Sequence, residues 1–200
     1  MRKWSGALCI LLGVVLIGAA ALLLVRNRQE DRQARQESDA MLEQVRSEIA
    51  QPAADPEPQT PEETVEDNFQ YAGILSIPDL SLELPVIDGW SYSRAALLAP
   101  CRQQGSAATY DMVIAAHNYK SHFGTLKELS PGAAVTFTDM DGAVYSYTVQ
   151  DVHQVETDAP DEVFSGEYDL VLYTCTYGGK ARVAAFCLLD SPDDQIDIAE

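Results

Sequence analysis

The longest uninterrupted apolar run in the chain is Ala7 to Val25, 19 residues without a charge. As a helix rising 1.5 Å per residue it reaches roughly 28 Å, about the hydrocarbon thickness of a bilayer. A secretory signal core is shorter and ends at a small-residue cleavage site. This run instead ends in Leu22-Leu23-Leu24-Val25-Arg26, which predicts a retained membrane anchor over residues 1–25. Polar sequence rich in Gln, Glu and Arg follows to Ala50, with Ala40, Met41, Leu42, Val45 and Ile49 as its main apolar positions, and predicts a juxtamembrane helix. Gln51 to Pro61 holds four prolines together with Asp55 and Glu57, the composition of an extended, unpacked linker. Residues 26–68 therefore read as a polar stalk.

Beyond Phe69 the pattern changes to short apolar runs separated by turn residues. Tyr71 to Ile77 and Leu82 to Ile87 read as strands around Pro78-Asp79. Tyr92 to Ala99 reads as a helix bounded by Pro100, and Phe123 to Leu129 as one helical turn ended by Pro131-Gly132. Met112 to Ala116 has the continuous apolar character of a buried strand. Ala134 to Thr138 and Ala143 to Val149 flank the turn Asp139-Met140-Asp141-Gly142 and form a hairpin, with Val152 to Val155 continuing its second strand. Leu170 to Thr174 and Arg182 to Leu189 complete the set. Many short strands with few helices imply an all-β domain, either an antiparallel sandwich or a closed barrel. About 120 residues are enough to bury its core.

Charge narrows the partners. The formal net charge is −18, and from Phe69 onward 6 Lys and Arg face 19 Asp and Glu, a net of −13. Nucleic acid is excluded on those terms, because phosphate binding needs a basic footprint. Residues 193–200 form an acidic tail. Four cysteines are too few to build a disulfide scaffold in 200 residues, and no Cys or His spacing matches a zinc site.

Cys175 stands out by its surroundings. The strand-like run Leu170-Val171-Leu172-Tyr173-Thr174 ends at this thiol, the turn Tyr177-Gly178-Gly179 follows, and Arg182 opens the next strand. A cation beside a thiol favours the nucleophilic thiolate. Upstream, Met112 to Ala116 ends at His117. A thiol, an imidazole and a guanidinium thus each sit at the mouth of a strand. Each also has an ordinary reading: a buried structural cysteine, a satisfied histidine, and an arginine that neutralises acidic surface. His122 rivals His117 but lies within the polar loop Asn118 to Gly124. His153 lies near Asp151 and Glu156 and reads as a solvated partner of those carboxylates. Cys101 and Cys187 read as structural.

Taken together, the order anchor, polar stalk, strand-His, strand-Thr-Cys, strand-Arg resembles the sortases, the cell-wall transpeptidases of Gram-positive bacteria. Val171-Leu172-Tyr173-Thr174-Cys175 matches the family's TLxTC motif except for the leading Thr. Val113-Ile114-Ala115-Ala116-His117 matches its strand-end histidine, and Arg182 its arginine. Phe123-Gly124-x-Leu126 and Tyr71-x-Gly73-x-Leu75-x-Ile77-Pro78 also match, so the resemblance spans roughly Phe69 to Leu189. Asn118 after the histidine, Phe123-Gly124 and Thr174-Cys175-Thr176-Tyr177 are similar to class B. The connection from Val155 to Asp169 is shorter than that class carries.

The resemblance implies a closed eight-stranded β-barrel with short helices, a catalytic domain over 69–192, and a Cys175–His117–Arg182 site. It implies cleavage of an LPxTG-like sorting signal on secreted proteins through a thioester. Transfer would follow to an amine of peptidoglycan or of a pilin. No cofactor is implied. Calcium-binding members place several carboxylates before the histidine strand, where this chain has only Asp111, so no metal is expected. The implied location is the cell membrane, single-pass, with the catalytic domain outside. Lys and Arg counts alone point the other way, with Arg2 and Lys3 before the span and Arg26, Arg28, Arg32 and Arg35 after it. The alternative is a catalytically silent envelope barrel that binds peptides or partner proteins, against which the intact trio argues.

Overall fold

The computed structural model describes residues 2–50, 70–89, 99–157 and 160–190. The linker at 51–61, the helix expected at 92–99 apart from its last residue, and the acidic tail lie outside the described residues. The chain divides into two compact units, Met1–Gln33 and Ala34–Glu200. Helix α1 runs over Arg2–Ala50. Its N-terminal part is long and apolar enough to cross a membrane, and none of its apolar window is buried in protein.

Eight strands make the second unit: β1 (Tyr71–Ile77), β2 (Leu82–Ile87), β3 (Cys101–Gln104), β4 (Met112–Ala116), β5 (Ala134–Asp139), β6 (Val144–Glu156), β7 (Leu170–Cys175) and β8 (Ala181–Leu189). They close into a barrel in the order β1-β2-β3-β4-β7-β8-β6-β5, with β5 pairing back onto β1. Closure removes every sheet edge, which short, twisted strands otherwise leave open to aggregation. Most neighbours are antiparallel, but β4 and β7 are parallel, from Met112 opposite Leu170 to Ala116 opposite Thr174. β2 and β3 also pair in parallel, at Ile87 and Cys101. Of the two architectures the strand pattern allows, the chain takes the closed barrel, with these two parallel seams within it.

Side chains alternate across each strand. One set fills the interior: Leu75 and Ile77, Leu84 and Val86, Met112 and Ile114, Val135 and Phe137, Tyr147 and Val149, Leu170 and Leu172, and Ala185 and Cys187. Phe123 and Leu126, from the loop after β4, plug this core and are fully buried. The helical turn expected there is the 3-10 turn Leu126–Glu128. Gly73 sits where β1 crosses close to β5; a Cβ there would lie 2.1 Å from the Thr138 carbonyl oxygen, so only glycine permits the approach.

Outside the barrel, the last turns of α1 lie along β1 and β2. Ala34, Ser38, Leu42 and Val45 are buried at helical spacing, and Leu42 and Val45 pack with Ile74. Arg46 bonds Glu83 of β2 at 2.7 Å and Glu43 at 2.6 Å. A second outer cluster lies on the opposite strands. Val113, Val171, Ala184, Phe186 and Val155 pack with Val163, next to Phe164, Tyr168 and Tyr173. The cover comes from the connection between β6 and β7, which contains the one-turn helix α2 (Pro160–Val163).

Candidate active site

Register alone brings the sequence candidates together. On β7, Leu170, Leu172 and Thr174 point inward, so Val171, Tyr173 and Cys175 point outward. Cys175 pairs directly with Arg182 of β8, and Thr174 with Val183. Directly opposed residues of an antiparallel pair share a face, with Cβ atoms about 4.5–5.5 Å apart. Arg182 is on the outward set of β8 with Ala184 and Phe186. In the parallel pair β4–β7, Ala116 lies level with Thr174, so His117, the next residue, continues level with Cys175. The outward set of β4 contains Val113, and alternation from there places His117 outward too. Cys175, Arg182 and His117 thus share one face at one end of three adjacent strands.

Several hydrogen bonds fix that end. Thr174 Oγ1 donates to the Ala116 carbonyl at 2.8 Å, tying β7 to β4 one residue beneath Cys175 and His117. The turn after Cys175 is closed by Thr176 N to Ala181 O at 2.9 Å and Gly179 N to Thr176 O at 2.9 Å. Gly178 and Gly179 both take positive φ, 85° and 69°, the left-handed geometry that a glycine pair supplies cheaply in so short a reversal. The Arg182 guanidinium leans into this turn. Its Nη1 donates to the Gly179 and Ala181 carbonyls at 3.4 and 3.3 Å.

The histidines separate by burial. His117 is half-buried, its ring 5.4 Å from that of Tyr119, and burial lowers its pKa below the ordinary 6.5. The imidazole is therefore neutral at pH 7, the form able to accept a proton. His122, although it lies within the polar loop, is fully buried. The loop folds inward because His122 N and Gly124 N both bond the Tyr119 carbonyl, and Phe123 N bonds that of His117, which seats Phe123 in the core. The His122 ring meets Tyr119 edge-on at 5.7 Å. Lacking solvent access, it is ill placed for proton exchange with a substrate. His153 bonds Asp151, as expected, but its second partner is Glu162 rather than Glu156.

Thiol exposure draws the same distinction. Cys175 is exposed, whereas Cys101 and Cys187 are buried. Burial pushes the Cys101 thiol up to about 11 and that of Cys187 up to about 12, so both stay protonated and inert at neutral pH. Among the described residues no group of three or more His, Cys, Asp or Glu is placed to hold a metal.

Two partners of Tyr173, Gln103 and Phe164, were missed in the sequence. Tyr173, two residues before Cys175 on the outward face, donates its hydroxyl to Gln103 of β3 at 2.6 Å, and Phe164 meets its ring edge-on at 6.2 Å. Gln103 belongs to a short polar strand with no periodic signal. Phe164 follows the acidic Pro160-Asp161-Glu162, where only the apolar pair Val163-Phe164 hints at a packed segment.

Comparison with known proteins gives one answer throughout. A family model for the sortase domain matches residues 75–190. The chain is 26% identical over 186 residues to sortase A of Staphylococcus aureus, covering 88% of this chain and 89% of that one. Among solved structures, sortase A from Corynebacterium diphtheriae superposes with a TM-score of 0.56 at 16% identity, covering 86% and 97% of the two chains. Sortase C1 from Streptococcus agalactiae gives 0.54 at 22% identity, covering 65% and 72%. The fold is thus shared with members labelled A and C alike. With the family model spanning more than half of its length, this chain belongs to the sortase family of transpeptidases.

Proposed function

We propose that this protein cleaves an LPxTG-like C-terminal sorting signal and transfers the new carboxyl end to an amine of peptidoglycan or of a pilin. The observation that carries the reading is the direct pairing of Cys175 with Arg182, with His117 level with both. Cys175 Sγ, its proton taken by His117, attacks the carbonyl carbon before the scissile bond. Arg182 turns from the Gly179 and Ala181 carbonyls to the developing oxyanion, which its planar fork suits. His117 returns the proton to the leaving amine as the tetrahedral adduct collapses to a thioester. The incoming amine then attacks the thioester carbonyl, His117 accepts its proton, and Sγ leaves and is reprotonated. Every proton is thus accounted for between two side chains.

Secreted, signal-bearing proteins are met outside the cell, so the catalytic domain faces the exterior and α1 anchors it. This sets the family's habit above the Lys and Arg count, which has Arg2 and Lys3 before the span and Arg26, Arg28, Arg32 and Arg35 after it.

The test is to incubate the chain with a fluorogenic signal peptide and an oligoglycine amine. Mass spectrometry should find a thioester on Cys175 and a peptide–amine product. Binding without either product would favour the silent barrel instead. Protease added to intact, wall-stripped cells should remove the domain; survival until the membrane is permeabilised would reverse the orientation.

A further inference from the structure

We propose that His153 is a positioning residue. As an imidazolium it ties β6 to the β6–β7 connection through Asp151 and Glu162, and so makes the outer wall below Cys175 pH-dependent. The kinetic part rests on the transpeptidase reading above.

The geometry is a clasp with three contacts. His153 Nδ1 lies 2.9 Å from Asp151 Oδ2 on its own strand, and Nε2 lies 2.5 Å from Glu162 Oε1 on α2. The ring stacks on Phe186 of β8, centroids 4.8 Å apart and planes within 20°. An ionised carboxylate only accepts hydrogen bonds, while a neutral imidazole has one donor and one acceptor nitrogen. Two carboxylates can therefore be satisfied together only when both ring nitrogens carry protons.

The charged groups around the ring agree. Asp151 faces it from β6 and Glu162 from α2, with Asp161 beside Glu162 and Glu156 further along β6. On β8 the residues opposite and diagonal are the apolar Ala184 and Phe186, and Arg182 lies opposite Val155, two positions away. The hydrogen bond to Glu162 is the largest influence and raises the His153 pKa above 6.5; burial opposes it, and the hydrogen bond to Asp151 together with the two carboxylate charges adds to the rise. A raised histidine stabilises fully below about 6.5 and releases its contribution as pH climbs through the folded value.

What the clasp holds is the cover of the outer cluster. Val163, the neighbour of Glu162, is buried. Phe164 rests on Tyr173, two residues from Cys175, and Tyr168 lies 5.0 Å from Phe186. Val155 of the same cluster pairs with Arg182. Releasing Glu162 frees the segment whose aromatic side chains line the face on which Cys175 and Arg182 stand. Its effect belongs to substrate binding rather than to the chemical step.

The experiment follows hydrogen–deuterium exchange of residues 160–169 in the full chain in detergent micelles from pH 5.5 to 8.5, corrected for intrinsic exchange. Protection should fall about threefold as pH rises past the His153 titration, the scale of two exposed charge pairs. His153→Gln should remove the step, and Glu162→Gln should move it to lower pH. Flat protection in the wild-type chain, or an unaltered step in His153→Gln, overturns the clasp. In parallel, KM for the signal peptide should rise about threefold over the same range in the wild type and not in His153→Gln, with kcat unchanged by the substitution. An exchange step without a KM change overturns the positioning role. A chain that cleaves no signal peptide overturns the transpeptidase reading, while the exchange result still decides the clasp.

Discussion

Strands β4, β7 and β8 carry two faces of different character, one residue apart. Inside, Met112, Ile114, Leu170, Leu172, Ala185 and Cys187 are fully buried in a closed core. Outside, Val113, Val171, Ala184 and Phe186 are covered by a single connection, and the same face ends in His117, Cys175 and Arg182. Two cysteines show what the difference does. Cys187 points inward and its thiol is pushed up to about 12, while Cys175 stands exposed beside an arginine. The same side chain is packing material on one face and a nucleophile candidate on the other. The inner face makes the backbone rigid, and that rigidity fixes the register from which the outer chemistry hangs.

Exchanging one atom on each face breaks the comparison most sharply. Cys175→Ala should reduce signal-peptide cleavage by at least roughly 10³-fold, because no other exposed thiol among the described residues can form the thioester. Its chemical denaturation midpoint should stay near that of the wild type. Cys187→Ala should do the opposite: cleavage is retained, and stability falls by about 1–2 kcal/mol through a small core cavity. Thioester formation in Cys175→Ala would end the assignment.

The two histidines near β4 repeat the contrast within one loop. His117→Ala should lower turnover by about 10²–10⁴-fold, the usual range for a lost acid–base group. The wild-type kcat/KM should rise along an acid limb centred below pH 6.5, since burial lets His117 lose its proton early. At lower pH His117 is already protonated and cannot take the thiol proton. His122→Ala should chiefly destabilise, as a fully buried ring is lost. A larger kinetic defect in a folded His122→Ala chain would exchange their roles.

Arg182→Lys keeps the charge and removes the fork. Turnover should drop by about 10–10²-fold, below the loss expected when an oxyanion donor is deleted outright. Near-normal kcat would make Arg182 a generic cation for the acidic surface.

How much of this was legible depended on which face carried the signal. Strands β4, β7 and β8 are covered on both faces and stood out as short continuous apolar runs, as β1 did before its turn residues. Cys175, His117 and Arg182 were visible because each interrupts such a run at its end, where a polar residue has no packing reason to be. β3 was not visible: Cys101-Arg102-Gln103-Gln104 has one buried side chain and takes its place by pairing with β4. The parallel β4–β7 seam was equally hidden, because pairing partners 58 residues apart leave no local trace. The His153 clasp needed the fold, since Glu156, nearer in sequence, alternates away while Glu162 returns on α2.

The smallest expected effect sharpens the comparison by truncating one aromatic or aliphatic group on each side of β7. Leu172→Ala empties a fully buried inner position and should cost about 2–5 kcal/mol, the range for large-to-small changes in a closed core. Phe164 is only partly buried over the outer cluster, so the connection can settle into the space it leaves. Phe164→Ala should therefore cost about 1 kcal/mol of stability, less than a fully buried ring. Its kinetic signature should be a KM rise of about two- to fivefold with kcat nearly unchanged, because Tyr173 loses its edge contact beside Cys175 while the proposed catalytic residues Cys175, His117 and Arg182 keep their strands. Denaturant unfolding of the two variants, with kinetics on the same samples, gives both readouts. Equal stability losses would mean that the outer cluster belongs to the same cooperative core, and that the barrel does not hold its chemistry on a separate, adjustable surface.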